Sequence, residues 1–219
     1  MATWKLHWLD ATGDLSPWQQ RITADLETAQ KTMRKYVRLP ALDILVERGD
    51  EAVRKDIGLG AHVTRPNLVT LILDPYNEQF GDTLSTGLIQ RQMVNCAHRA
   101  LRAAGPGYGF TLGGALVSEG LAAQFTRLVF GGPLEHWETM SEHVLTAHWP
   151  DQRTMMSTKY DHSEWFHGNG NKPSGYGYAL GARLAEYWLL SGVSLDPQRL
   201  INVPTPKVLG AAPVRAMTA

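Results

Sequence analysis

Arg91-Gln92-Met93-Val94-Asn95-Cys96-Ala97-His98-Arg99-Ala100-Leu101-Arg102 decides how this chain is read, together with Ser118-Glu119-Gly120-Leu121-Ala122 downstream. In the first stretch Ile89, Met93, Ala97, Ala100 and Leu101 recur at helical spacing, which predicts a helix over 83–104. Leu84, Leu88, Arg91, Asn95, Arg99 and Arg102 fall on its other face. Gly105-Pro106-Gly107-Tyr108-Gly109 is a sharp break. A second, more apolar helix is expected over 112–130, with Leu112, Leu116, Glu119 and Ala123 near one face. One helix thus carries a polar stripe, and the next carries a single acid among apolar residues.

Strands are expected upstream at 4–9, 42–47 and 68–73. The last, Leu-Val-Thr-Leu-Ile-Leu, is the clearest. A helix over 18–36 starts from Ser16 as cap with Pro17 in its first turn. Its buried stripe is Ile22, Leu26, Ala29, Met33 and Tyr36. Gly58-Leu59-Gly60 signals a loop. Downstream, Gly131-Gly132-Pro133 closes the second helix, and a further helix is expected over 135–149. Residues 165–178 form a loop rich in glycine and aromatics, and a last strong helix covers 179–190. Three strands among long helices, with no repeat and no linker, give an α+β fold. Residues 1–205 are expected to form one domain, and 206–219 a loosely held tail.

Composition narrows the function. The 219 residues hold 43% hydrophobic and 19% charged residues, an ordinary globular balance. Lys+Arg and Asp+Glu both number 21, so the net charge is zero and no basic cluster points to nucleic acid or to a membrane surface. A single cysteine suits a reducing compartment. With no signal-like N-terminus and no run of ~18–20 apolar residues, a cytoplasmic enzyme or small-molecule binder is expected.

Several short motifs recur together: His98-x-Ala100-Leu101-Arg102-x-Ala104 running into Gly105-Pro106-Gly107-Tyr108-Gly109, then Thr111-Leu112, then Ala115-Leu116-Val117-Ser118-Glu119-Gly120-Leu121-Ala122. Phe130-Gly131-Gly132-Pro133, Trp165-Phe166-x-Gly168-x-Gly170-x-x-Pro173 and Gly177-Tyr178-x-Leu180-Gly181 follow. As a set, over roughly residues 40–205, they resemble a bacterial family of predicted zinc-dependent proteases. The resemblance implies a zincin-like fold, with a small sheet over an active-site helix and a second helix supplying the last ligand. It implies HExxH, two histidines one turn apart on zinc with a glutamate as general base. It puts the third ligand at Glu119.

The chain departs from that pattern at the metal. Counting back from Gly105, the HExxH positions are Asn95, Cys96, Ala97, His98 and Arg99. Both ligand histidines and the general base are replaced. Cys96, His98 and Glu119 are acceptable ligand types, but adjacent helix positions point about 100° apart. Arg99 also puts a permanent cation where the metal belongs. No metal and no cofactor are therefore expected, and a zinc site rebuilt from those three ranks last.

Two readings remain. In one, Arg99 pairs with Glu119 and fills a dead site, leaving a non-catalytic pseudo-peptidase that binds a ligand or partner. In the other the cavity has been remade, by evolution or by an engineer. Asn95, Cys96, Arg99 and Glu119 would share one wall, and His167 and Gly175 stand where the family leads one to expect aromatics. Glu119 would be the general base, with Arg99 or Asn95 stabilising an oxyanion. Alternatively Cys96 would be a nucleophile with His98 or His167 as its base. Tyr176 and Tyr178 would offer further donors. His136, His143, His148 and His162 show no ligand spacing.

Overall fold

The computed structural model describes residues 4–51, 53–132 and 134–213. Contacts group the chain into two compact units, up to residue 104 and from residue 105 onward.

The first unit is built on a four-stranded sheet of order β1-β2-β4-β3: β1 (Trp4–Leu9), β2 (Leu42–Arg48), β3 (Leu59–Arg65) and β4 (Leu68–Leu73). β1, β2 and β4 run parallel, with Leu6 opposite Ile44 and Ile44 opposite Val69. Parallel neighbours need a crossover, and α1 (Gln19–Met33) supplies it between β1 and β2. Residues 69–73 of β4 are all buried, as befits an inner strand covered on both faces. β2 instead alternates, with Leu42, Ile44 and Val46 buried.

β3 lies where a loop was expected. It pairs antiparallel with β4 across a tight turn, with a register shift between Val63 and Arg65. As an edge strand it is mostly half-exposed or exposed, so it lacks the apolar run that marks a strand in sequence.

The expected helix over 83–104 is two helices. α2 (Phe80–Ser85) ends before Gly87, whose φ of 75° breaks the helix, and α3 (Leu88–Ala104) follows. α3 buries Ile89, Met93, Ala97 and Ala100 as its spacing predicts, and it also buries His98 and Arg102 completely. α1 and α3 are tied by Asp25, which is 4% exposed and accepts hydrogen bonds from Arg21 Nε (3.1 Å) and Gln90 Nε2 (2.8 Å).

The second unit is helical. α4 (Leu112–Phe130) is buried from Leu112 through Thr126 and is its central rod. Thr111 caps it, accepting from the Gly114 amide. α7 (Tyr176–Leu190) crosses it at Gly120 and Gly181, where the backbones touch. A Cβ on Gly120 would lie 1.8 Å from the Gly181 carbonyl oxygen, and one on Gly181 would lie 2.2 Å from that of Leu116. Only hydrogen fits between the helices there, which is why both motifs carry glycine.

The helix expected over 135–149 is a 3₁₀ turn at His136–Glu138, followed by α5 (Glu142–Ala147) capped by Ser141. α6 (Gln152–Met155) and a π-helical turn (Ser163–His167) follow. α8 (Pro197–Asn202) and α9 (Thr205–Leu209) pack against α4. The stretch expected as a tail thus begins in α9, with Val208 fully buried, and its last six residues lie outside those described. Among the described residues no helix is long and apolar enough to cross a membrane.

Candidate functional site

The site residues expected from sequence divide between the units. Asn95, Cys96, His98 and Arg99 lie on α3 of the first. Glu119, His167, Gly175, Tyr176 and Tyr178 lie in the second.

On α3, two of the residues expected from sequence at the HExxH positions engage one another. Arg99 Nη2 donates a hydrogen bond to Cys96 Sγ at 3.1 Å, across one helical turn. Cys96 is fully buried, while Asn95 and Arg99 are half-buried. His98 is buried as well. Deeper on the same helix, burial lowers the Arg102 guanidinium to about 10, still cationic at neutral pH.

In the second unit Glu119 is 4% exposed in the middle of α4. Its Oε1 accepts a hydrogen bond from the Tyr108 hydroxyl at 2.7 Å. The neighbouring Ser118 hydroxyl donates to the Tyr108 carbonyl oxygen, also at 2.7 Å. Consecutive residues of α4 therefore hold Tyr108 at both ends. The phenol and the carboxylate form a charge-assisted pair of fixed direction. A second phenol, Tyr160, is half-buried, and its pKa is raised first by burial and then by the Glu119 charge. Tyr160 lines a depression of about 450 Å³ together with Arg153, Thr154, Ser157 and Lys159.

The remaining expected residues have other duties. Tyr176 is fully buried, and its hydroxyl donates to the Leu145 carbonyl oxygen at 2.9 Å. Burial pushes that phenol well above its ordinary value. Gly175, expected in a pocket, starts α7 with a φ of 79°, and a Cβ there would sit 2.7 Å from the Trp137 carbonyl oxygen. Tyr178 packs edge-on against Phe166, ring centroids 5.0 Å apart. His167 is exposed at the end of the π-helical turn, its ring 5.5 Å from that of His162. Tyr108 stands in a motif read as a chain break, and Tyr160 stands in none. Sequence offered no signal for the part either phenol plays beside Glu119.

These donors do not fit a zinc ion. Zinc needs three or four converging nitrogen, sulfur or oxygen ligands. Among the described residues no three His, Cys, Asp or Glu side chains gather into such a group. The one thiolate precursor on α3 faces a guanidinium instead. A guanidinium and a divalent ion ~4 Å apart repel by about 8 kcal/mol at an effective dielectric of ~20.

Neither a search of curated proteins nor one of solved structures gives a match. The family profile described as "Predicted Zn-dependent protease (DUF2268)" does match, over residues 18–209, and the chain belongs to that family.

Proposed function

We propose that this chain is a zinc-independent member of its protease family, in which Glu119 serves as a general base on a small molecule. The observation that carries the first half is the Arg99–Cys96 hydrogen bond, at positions where the family's chemistry needs a histidine and a glutamate. The second half is supported by the Glu119–Tyr108 pair. A carboxylate little exposed to water and fixed in direction by a phenol can remove a proton without metal. Tyr108 orients it, and Tyr160 stands close enough to feel its charge.

One observation favours a second reading, a non-catalytic pseudo-peptidase. Glu119 is 4% exposed and already accepts from Tyr108, so an incoming proton donor must compete with that phenol.

A panel of activated esters and carbon acids, run with and without chelator, separates the two. Turnover that survives chelation and falls about a hundredfold or more in Glu119→Gln supports the general base. Turnover equal in Glu119→Gln and wild type refutes it and favours the binding protein. Stoichiometric zinc in the purified chain refutes zinc independence.

A further inference from the structure

The depression beside Tyr160 is lined by charges of both signs, and the two signs differ in what already holds them. Asp151 caps α6, its Oδ1 accepting from the Thr154 amide at 2.7 Å. That bond keeps its carboxyl below the usual range. Asp161 Oδ1 accepts from the amides of Ser163 (2.8 Å) and Glu164 (3.3 Å). Glu164 Oε1 accepts from Lys172 Nζ at 2.7 Å, and that ammonium lies 4.2 Å from the centre of the Trp165 ring. Each carboxylate is thus committed to the protein.

The cations are held less tightly, Arg153 only by its through-space attraction to Asp151. Arg153 and Lys159 line the same depression, and among the described residues neither makes an ion pair or a side-chain hydrogen bond. The floor between them is fixed. The Ser157 carbonyl oxygen accepts from the Leu112 amide at the start of α4 (3.0 Å), and Ser157 Oγ accepts from the Lys159 amide (3.1 Å).

We propose that this depression is a subsite for the carboxylate of a singly charged organic acid, with Arg153 and Lys159 as its anchors. A planar guanidinium matches a carboxylate with two parallel donors, and an ammonium beside it adds a point charge. A singly charged acid suits the site better than phosphate, because three carboxylates line the same walls and repel a dianion more strongly. The ligand's other end then faces Tyr160, the lining residue that feels Glu119. This orientation rests on the reading of Glu119 as the acting group; the anion subsite does not.

N-acetylglycine, its neutral amide and inorganic phosphate are titrated into the full-length protein and followed by amide chemical shifts. Saturable shifts centred on residues 153–160 are expected with N-acetylglycine, and none with the amide. The Arg153→Ala/Lys159→Ala double variant should weaken binding about tenfold or more, and Arg153→Lys should recover part of it. Both positions are exposed, so the fold is unaffected.

Equal shifts with the neutral amide, unchanged affinity in the double variant, or phosphate binding more tightly than N-acetylglycine would each overturn the subsite. Glu119→Gln should leave carboxylate binding intact or strengthen it, since it removes a like charge. Loss of binding in that variant counts against the subsite, whereas loss of turnover alone bears only on the general base.

Discussion

Two side-chain hydrogen bonds carry the functional reading. Arg99 on Cys96 Sγ joins two α3 positions that the family resemblance assigns to the metal motif. Tyr108 on Glu119 holds a buried acid in place. Tyr108→Phe removes the hydroxyl and leaves a 4% exposed carboxylate without that donor. Hydrogen bonds to charged groups contribute about 1.5–3 kcal/mol, so a loss of that size is expected in urea unfolding at neutral pH. Tyr160 supplies a pH test. Burial and the Glu119 charge raise its folded-state pKa. Whatever stability its protonated form adds is fully present below the unfolded value of about 10 and is lost as pH rises through the folded value. Ultraviolet titration should show Tyr160 ionising above an ordinary tyrosine, and Glu119→Gln should lower it part of the way. A Tyr160 signal indifferent to Glu119→Gln would break the electrostatic link between the acid and the depression. Glu119 drew attention in the sequence because a lone acid on an apolar helix stands out. Its phenols were not, since a tyrosine on a loop looks the same whether it packs or donates.

Among the elements, the α4–α7 crossing is the least tolerant of change. A Cβ at Gly120 would lie 1.8 Å from the Gly181 carbonyl oxygen, and backbone cannot move aside as a side chain can. Gly120→Ala must therefore push the helices apart, at the upper end of the usual overpacking cost, about 3 kcal/mol or more. Once they are apart, Gly181→Ala adds little, so the double variant should fall well short of the sum of the singles. Denaturant midpoints of the three variants measure both effects, and strict additivity would contradict backbone contact. The sequence marked those glycines only as members of a motif, because close approach between distant segments leaves no local pattern. It located β1, β4 and α4 to the residue, β1 from its rough alternation and β4 and α4 from apolar runs that end in turn residues. It missed β3, whose edge position asks for backbone pairing rather than apolar side chains. It ran α2 into α3 because Thr83, Leu84 and Leu88 keep helical spacing across Gly87, where only the backbone angle records the break.

For the molecule as a whole, the proposed zinc independence becomes a statement about stability. A metal bound by the folded chain and not by the unfolded one raises stability by mass action, by about 2.7 kcal/mol when free metal exceeds Kd about a hundredfold. A zinc enzyme therefore loses Tm on chelation and recovers it on adding zinc. On the proposed reading, zinc would meet Asn95, Cys96 and Arg99 on α3, and a guanidinium cannot give up its charge at neutral pH to make room. The chain's Tm should accordingly be the same with chelator, without it, and with added zinc. The triple variant Asn95→His, Cys96→Glu, Arg99→His places two imidazoles one turn apart on α3 and removes the cation. Its Tm should rise with zinc and fall with chelator, with the metal retained through gel filtration. A wild-type Tm that tracks zinc would show that the donors on α3 rearrange around a metal. A triple variant blind to zinc would show that 95 and 99 are not the ligand positions. The two failures point to different errors, one in the chemistry of Arg99 and the other in the register of the helix.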